Sequence, residues 1–174
     1  FVEPALEIMK KASIRNIVRE DHIAIHDGEY RGFEYAVPKE LASAAPFLFA
    51  SLLVEGEAEV KMPNQLPPRD MLLIQKLEKL GVVSHSKRRK MVFKVQDLRG
   101  ANLDLFGLEE LLPFFSVLGV FARGTTRIYN AHAARFMKSD RISSTVLGLR
   151  KLGAKIVENP DGVTIKGGEL RGKE

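Results

Sequence analysis

The feature that most constrains this 174-residue sequence is that its second half repeats its first: Leu77-Glu78-Lys79-Leu80-Gly81 returns as Leu149-Arg150-Lys151-Leu152-Gly153. Recurrence of a supersecondary unit implies modules that cannot bury their apolar faces alone and therefore pack on one another. The first unit reads as a strand over 35–37, an apolar helix over 42–54, a strand over 58–62 and a helix over 69–80, then a hairpin of runs 82–86 and 91–96. In the 69–80 helix, Leu73, Leu77 and Leu80, with Ile74 beside them, recur at three and four residue steps, while Lys76, Glu78 and Lys79 point outward. Gly81 stops it.

The second unit follows the same order: a strand over 103–106, an apolar helix from Leu111, a strand over 126–130, a helix over 139–152 and a hairpin of runs 154–158 and 163–166. Ile142, Val146, Leu149 and Leu152 form the stripe of the long helix, and Gly153 ends it. Each unit is therefore predicted as βαβαββ, an α/β (α+β) class. Pro46 and Pro113 fall early in the first helix of each unit, where a missing N–H costs nothing, so those helices are expected to start beside them. Glu110 then sits at the positive end of a helix dipole, at a strand-to-helix junction. Phe114, Phe115 and Phe121 stand at helical intervals and read as core.

Ahead of the repeat, Val2, Ala5, Leu6 and Met9 already space as a helical stripe, and Phe1 stands where an initiator methionine would. With the internal symmetry, this leads us to expect an internal piece of a longer chain, with exposed sheet edges that favour self-association. No apolar run approaches the roughly 20 residues that cross a bilayer, so a membrane partner is not expected and the cytoplasm is the default compartment. The absence of cysteine excludes disulfides, thiolate metal sites and thiol catalysis. The four histidines show no ligand spacing, so no metal is expected; His132 alone lies in the loop before the last long helix.

A net charge of +5 fits either a nucleic-acid surface or a site for phosphorylated and carboxylated small molecules, and does not choose between them. The densest basic run, Lys87-Arg88-Arg89-Lys90, reads as a solvated hairpin turn. The segment from Tyr129 through His132, Ala133, Arg135, Met137, Lys138, Ser139 and Asp140 to Arg141 is the most informative in the chain. It gathers cations and hydrogen-bonding groups into a strand-to-helix loop, where free N–H groups and guanidinium forks match the oxygens of phosphate or carboxylate. An ordinary N-cap at Ser139 or Asp140, with Arg141 as a surface partner, explains the same residues.

Ala122-Arg123-Gly124-Thr125-Thr126 through Arg135 and Ser139-Asp140-Arg141, then Leu149-Arg150-Lys151-Leu152-Gly153-Ala154 and Asp161-Gly162-Val163-Thr164-Ile165, resembles the enolpyruvylshikimate phosphate synthases. Residues 37–50, with Ser43-Ala44, are a weaker match, and the segment from Phe1 resembles the stretch after that family's Ser-basic-Pro-Tyr motif. The resemblance implies an inside-out α/β barrel fold of two domains, each of three βαβαββ units about a pseudo-threefold axis, with substrates in the cleft between them. Residues 1–34 would be the last part of the first domain, and 35–97 and 98–174 two units of the second, so the fold is incomplete here.

The implied reaction transfers the enolpyruvyl group of phosphoenolpyruvate to the 5-hydroxyl of shikimate 3-phosphate, in aromatic amino-acid (chorismate) biosynthesis, with no metal or organic cofactor. The missing remainder of the enzyme is an implied partner, and the fragment alone is expected to be inactive. By resemblance, Glu110 occupies the place of an aspartate that binds the shikimate hydroxyl and is a candidate base, Arg141 that of the arginine clamping phosphoenolpyruvate, and Arg135 that of an upstream arginine expected to be mainly structural. The family reads Lys-Glu before Ser/Thr-Asp-Arg, whereas this chain has Met137-Lys138. Lys138 is the candidate catalytic cation that would reach in from the next position for the missing shikimate lysine, against a rotation of about 100° that one such step makes on a helix. Ala133 replaces an asparagine found in some members. Three rival readings remain: a UDP-N-acetylglucosamine enolpyruvyl transferase, a non-catalytic homologue that keeps the fold, and a nucleic-acid-binding βαβαββ module, nucleic acid being the partner least expected.

Overall fold

The computed structural model describes residues 2–54, 56–62 and 66–172, so Phe1 lies outside the described residues. The chain divides into two compact parts, 1–38 and 39–174. In the first, helix α1 (Val2–Lys11) buries Leu6 from its apolar stripe, and strands β1 (Asn16–Val18) and β2 (Ile23–Ile25) pair antiparallel as a hairpin that periodicity did not reveal. The buried Asn16 amide donates to the Leu6 carbonyl at 2.9 Å, tying hairpin to helix. Residues 35–37, expected as the first strand of the repeat, form no strand. Val37 is 80% exposed and Pro38 follows it, so this three-residue run has neither a buried face to offset its ordering nor a complete set of ladder donors.

The second part holds both repeats. A 3-10 turn (Leu41–Ala44) leads into α2 (Ala45–Leu53), with Pro46 in its first turn, then β3 (Glu57–Lys61), α3 (Pro68–Lys79), β4 (Val82–Lys87) and β5 (Lys90–Val95). The sheet order is β3-β5-β4, antiparallel throughout; without the expected first strand this repeat is αβαββ. The second repeat is complete: β6 (Asn102–Asp104), a 3-10 turn (Glu109–Leu111), α4 (Leu112–Phe121), β7 (Thr125–Tyr129), α5 (Arg141–Lys151), β8 (Lys155–Asn159) and β9 (Gly162–Lys166). Its sheet runs β6-β7-β9-β8, with β6 and β7 parallel and the remaining pairs antiparallel.

Helices from both repeats share one core. Leu73, Leu77 and Leu80 are wholly buried, as are Ile142 and Val146, and each such side chain contributes about 1.5–3 kcal/mol of transfer free energy. The repeats meet through α2 and α4, where Phe49 packs edge-on against Phe115 at 5.1 Å between centroids. Phe115 is buried as expected, but Phe121 is 48% exposed, because α4 ends there and the chain turns to extended backbone at Ala122. Asp70, buried in the first turn of α3, accepts the Leu41 N–H on both oxygens (3.0 and 3.1 Å) and so starts the preceding helical turn; burial pushes its carboxyl above the usual range.

The basic run is a hairpin turn, with Lys87 paired to Lys90 across Arg88 and Arg89. Both central residues are left-handed, at φ 46° and 61°, as a two-residue type I′ loop demands, and neither arginine favours that region. Substituting Arg88→Asn together with Arg89→Gly is expected to stabilise the second part by about 1 kcal/mol. Urea unfolding with an unchanged or lowered midpoint would contradict this.

Candidate functional site

Parallel strands β6 and β7 end side by side, Asp104 opposite Tyr129, and both chains leave the sheet there toward a helix. Carboxyl ends of parallel strands are where such folds build sites. Asp104 Oδ1 accepts the Phe106 N–H (3.0 Å) and Oδ2 the Asn130 amide (3.1 Å). The Phe106 N–H above all holds this carboxyl below its ordinary range; burial opposes it, and the Asn130 amide adds a lesser lowering. Asn130 is left-handed (φ 54°), and its N–H donates to Asp161 Oδ2 at 2.9 Å, while the Ala131 N–H donates to the Asp161 carbonyl at 2.8 Å. The β8–β9 turn thereby fixes the loop that leads to α5.

Arg135 closes that loop. Its Nε donates to the Pro160 carbonyl (2.8 Å), its Nη2 to the Asn159 carbonyl (2.7 Å), and its Nη1 to Asp140 Oδ2 and Glu158 Oε1 (2.9 Å each). All three nitrogens are bound within the protein, which makes this guanidinium a structural tie. The Ser143 and Glu158 hydroxyl–carboxylate bond at 2.8 Å completes the cluster, and Asp140 caps α5 by accepting the Ser143 N–H at 2.9 Å.

Arg141, the first residue of α5, is half-buried and differently placed. Its Nη1 donates to the main-chain carbonyl of Glu110 at 3.0 Å, its one hydrogen bond among the described residues. A guanidinium carries five N–H donors, so most of this one is uncommitted. Arg141 and Glu110 are thus brought together, but through the Glu110 carbonyl and not its carboxylate. The carboxylate instead accepts from Arg69 Nη2, and Arg69 Nε donates to the Gly107 carbonyl at 3.1 Å. Arg69 Nη1 also stands 3.8 Å from Glu40 Oε2.

Arg69 comes from the first repeat and was missed by sequence reasoning. The signal was present: eight residues back from Leu77 and from Leu149 stand Arg69 and Arg141, equivalent positions of α3 and α5. The remaining candidates lie in the loop. Ala133 is exposed in a 3-10 turn (His132–Arg135), Met137 is half-buried and Lys138 is exposed at φ 56°. The helical rotation expected between positions 137 and 138 is corrected, because α5 begins only at Arg141 and both residues precede it. His132 stacks edge-on against the exposed Phe136, with centroids 5.2 Å apart.

Against known proteins, residues 2–174 match the profile of EPSP synthase (3-phosphoshikimate 1-carboxyvinyltransferase). A 3-phosphoshikimate 1-carboxyvinyltransferase of Methanosarcina acetivorans is 31% identical over 183 aligned positions, covering 100% of this chain and 42% of that protein. One from Methanocorpusculum labreanum is 34% identical over 169 positions, covering 96% of this chain and 40% of that protein. The solved EPSP synthase of Acinetobacter baumannii superposes with a TM-score of 0.68 at 20% identity, over 95% of this chain and 40% of that one, which shows a shared fold. The chain therefore spans about two fifths of the length of its relatives. A match that runs from the second residue to the last, over the repeat and the Arg141 loop alike, means that this chain belongs to the EPSP synthase family.

Proposed function

We propose that this chain is part of a cytoplasmic enzyme that transfers the enolpyruvyl group of phosphoenolpyruvate to the 5-hydroxyl of shikimate 3-phosphate. In this reading residues 1–34 complete the first domain, and 35–97 and 98–174 are two units of the second. The observation that carries it is the largely uncommitted Arg141 guanidinium, which opens α5 and is bonded to the backbone of Glu110. A guanidinium with most of its donors unused suits a phosphate or carboxylate. Glu110 is the candidate base for the 5-hydroxyl as its oxygen adds to C2 of phosphoenolpyruvate and C3 takes a proton; phosphate then leaves C2 of the tetrahedral adduct as C3 gives a proton back, which restores the double bond in the enolpyruvyl product. Lys138, in the loop before α5, is the nearest cation in sequence to the position of the missing shikimate lysine.

The test is phosphate release from phosphoenolpyruvate and shikimate 3-phosphate by the chain joined to the rest of its protein. Arg141→Met is expected to lower kcat/KM at least about 100-fold, the loss of a charged bidentate contact. A folded whole protein that releases no phosphate would overturn the assignment. Met137 in place of the family lysine favours one alternative, a homologue that keeps the fold and the anion site without turnover.

A further inference from the structure

Equivalent positions in two repeats send their arginines to one residue. Arg69 arrives from α3 of the first repeat and Arg141 from α5 of the second; one holds the Glu110 carboxylate and the other its carbonyl. Their commitments are unequal. Arg69 is bound through Nε and Nη2 and has the Glu40 carboxylate 3.8 Å from Nη1, looser than its bond to Glu110, whereas Arg141 makes a single bond and no ion pair among the described residues. Glu110 is the more buried member of the ion pair, its side chain 20% exposed against 34% for Arg69. The carboxylate pairs with Arg69, while Arg141 reaches only the carbonyl of the same residue. The arrangement is that of a two-armed anion site with an internal acid bound to one arm.

We propose that Arg69 is a second anion-binding residue of this site, forming with Arg141 a clamp for a small phosphorylated dianion, and that the Glu110 carboxylate occupies Arg69 until such an anion arrives. The proposal deepens the reading of Arg141 as an anion ligand and rests on it. Two planar guanidinium groups can each offer paired donors to one phosphoryl group, which lysine could not match. The nearby carboxylate competes for Arg69 and repels the incoming anion, so removing its charge should strengthen binding. A purely structural ion pair between the repeats predicts no such gain.

The experiment titrates this chain with inorganic phosphate, followed by 31P NMR at fixed ionic strength. Glu110→Gln, which preserves shape while removing charge, is expected to tighten binding about tenfold. Arg69→Met is expected to weaken it about 30-fold, the loss of hydrogen bonds to a charged group, and Arg69→Met with Glu110→Gln should show no gain. Should Arg69→Met unfold, Glu110→Gln alone still decides, since an unchanged affinity in that variant overturns the proposal. If Arg141→Met abolishes binding while Arg69→Met and Glu110→Gln leave it unaltered, Arg141 acts alone and only the clamp is wrong. Phosphate bound by neither the wild-type chain nor Glu110→Gln would remove both the clamp and the reading of Arg141 beneath it.

Discussion

Gly81→Ala should destabilise the two-repeat part of the chain by about 3–5 kcal/mol, a loss at the upper end of what one methyl group can cause. Gly81 ends α3 at φ 89°, in a region that side chains rarely enter, and a Cβ there would fall inside the van der Waals shell of the Asp97 carbonyl oxygen. Relief by movement is blocked. The Gly81 carbonyl accepts from Gln96 and Asp97 (3.1 and 3.4 Å), and the Leu80 carbonyl accepts from Arg99 (3.0 Å), so the crowding backbone is itself tied to the helix end. Gly153, the counterpart in the second repeat, has nearly the same φ of 90°, but its Cβ would meet the carbonyl of the exposed Arg171 at 2.9 Å. That contact is far less crowded than the approach at the Asp97 carbonyl, so Gly153→Ala is expected to cost less, about 1–2 kcal/mol, mostly from the dihedral angle. Urea unfolding of the two variants side by side tests the difference. Equal losses would mean that conformation alone, and not the close approach at Asp97, governs these helix ends.

The same pair of glycines explains why so much of the fold was legible in the sequence. Helices α3 and α5 carry long apolar stripes closed by a glycine, and the two hairpins carry their own turns, so each element is dictated by neighbours in sequence. Residues 35–37 failed that test because a three-residue strand exists only if a partner pairs with it, and pairing is a property of the assembled sheet. The site was legible in identity and not in connection. Glu110, Asp140 and Arg141 lie where the strand-to-helix junctions put them, yet the ion pair between Arg69 and Glu110 crosses from one repeat to the other. Periodicity says nothing about such a contact. Only the equivalence of α3 and α5, carried back to their first turns, would have drawn Arg69 into view. Lys138 shows the opposite limit: its left-handed backbone and position before α5 are set by the loop that Asp161 and Arg135 hold, and not by any local helical preference.

That loop is the target of the second large effect, because Arg135 joins the segment before α5 to the β8–β9 turn with bonds from all three nitrogens. Arg135→Met keeps much of the side chain's length and apolar contact but takes the guanidinium donor from two main-chain carbonyls and from two carboxylates that keep only their bonds from Ser143. With the Arg135 side chain 19% exposed, water replaces part of what is lost, and the expected destabilisation at pH 7 is about 2–4 kcal/mol. Acid separates the causes. Asp140 is held below the usual carboxylate range first by the Ser143 N–H and then by Arg135, and Glu158 first by the Ser143 hydroxyl and then by Arg135. Lowered carboxylate pKa values in the folded state stabilise it above the unfolded values of about 3.9 and 4.3, and that stabilisation fades as pH falls through the folded ones. In the variant only the arginine share disappears, so the gap between wild type and Arg135→Met should narrow from pH 7 to pH 3 while both proteins remain acid-sensitive through Ser143. A gap that stays constant across that range would mean that the two carbonyl bonds, and not the carboxylates, account for what Arg135 contributes.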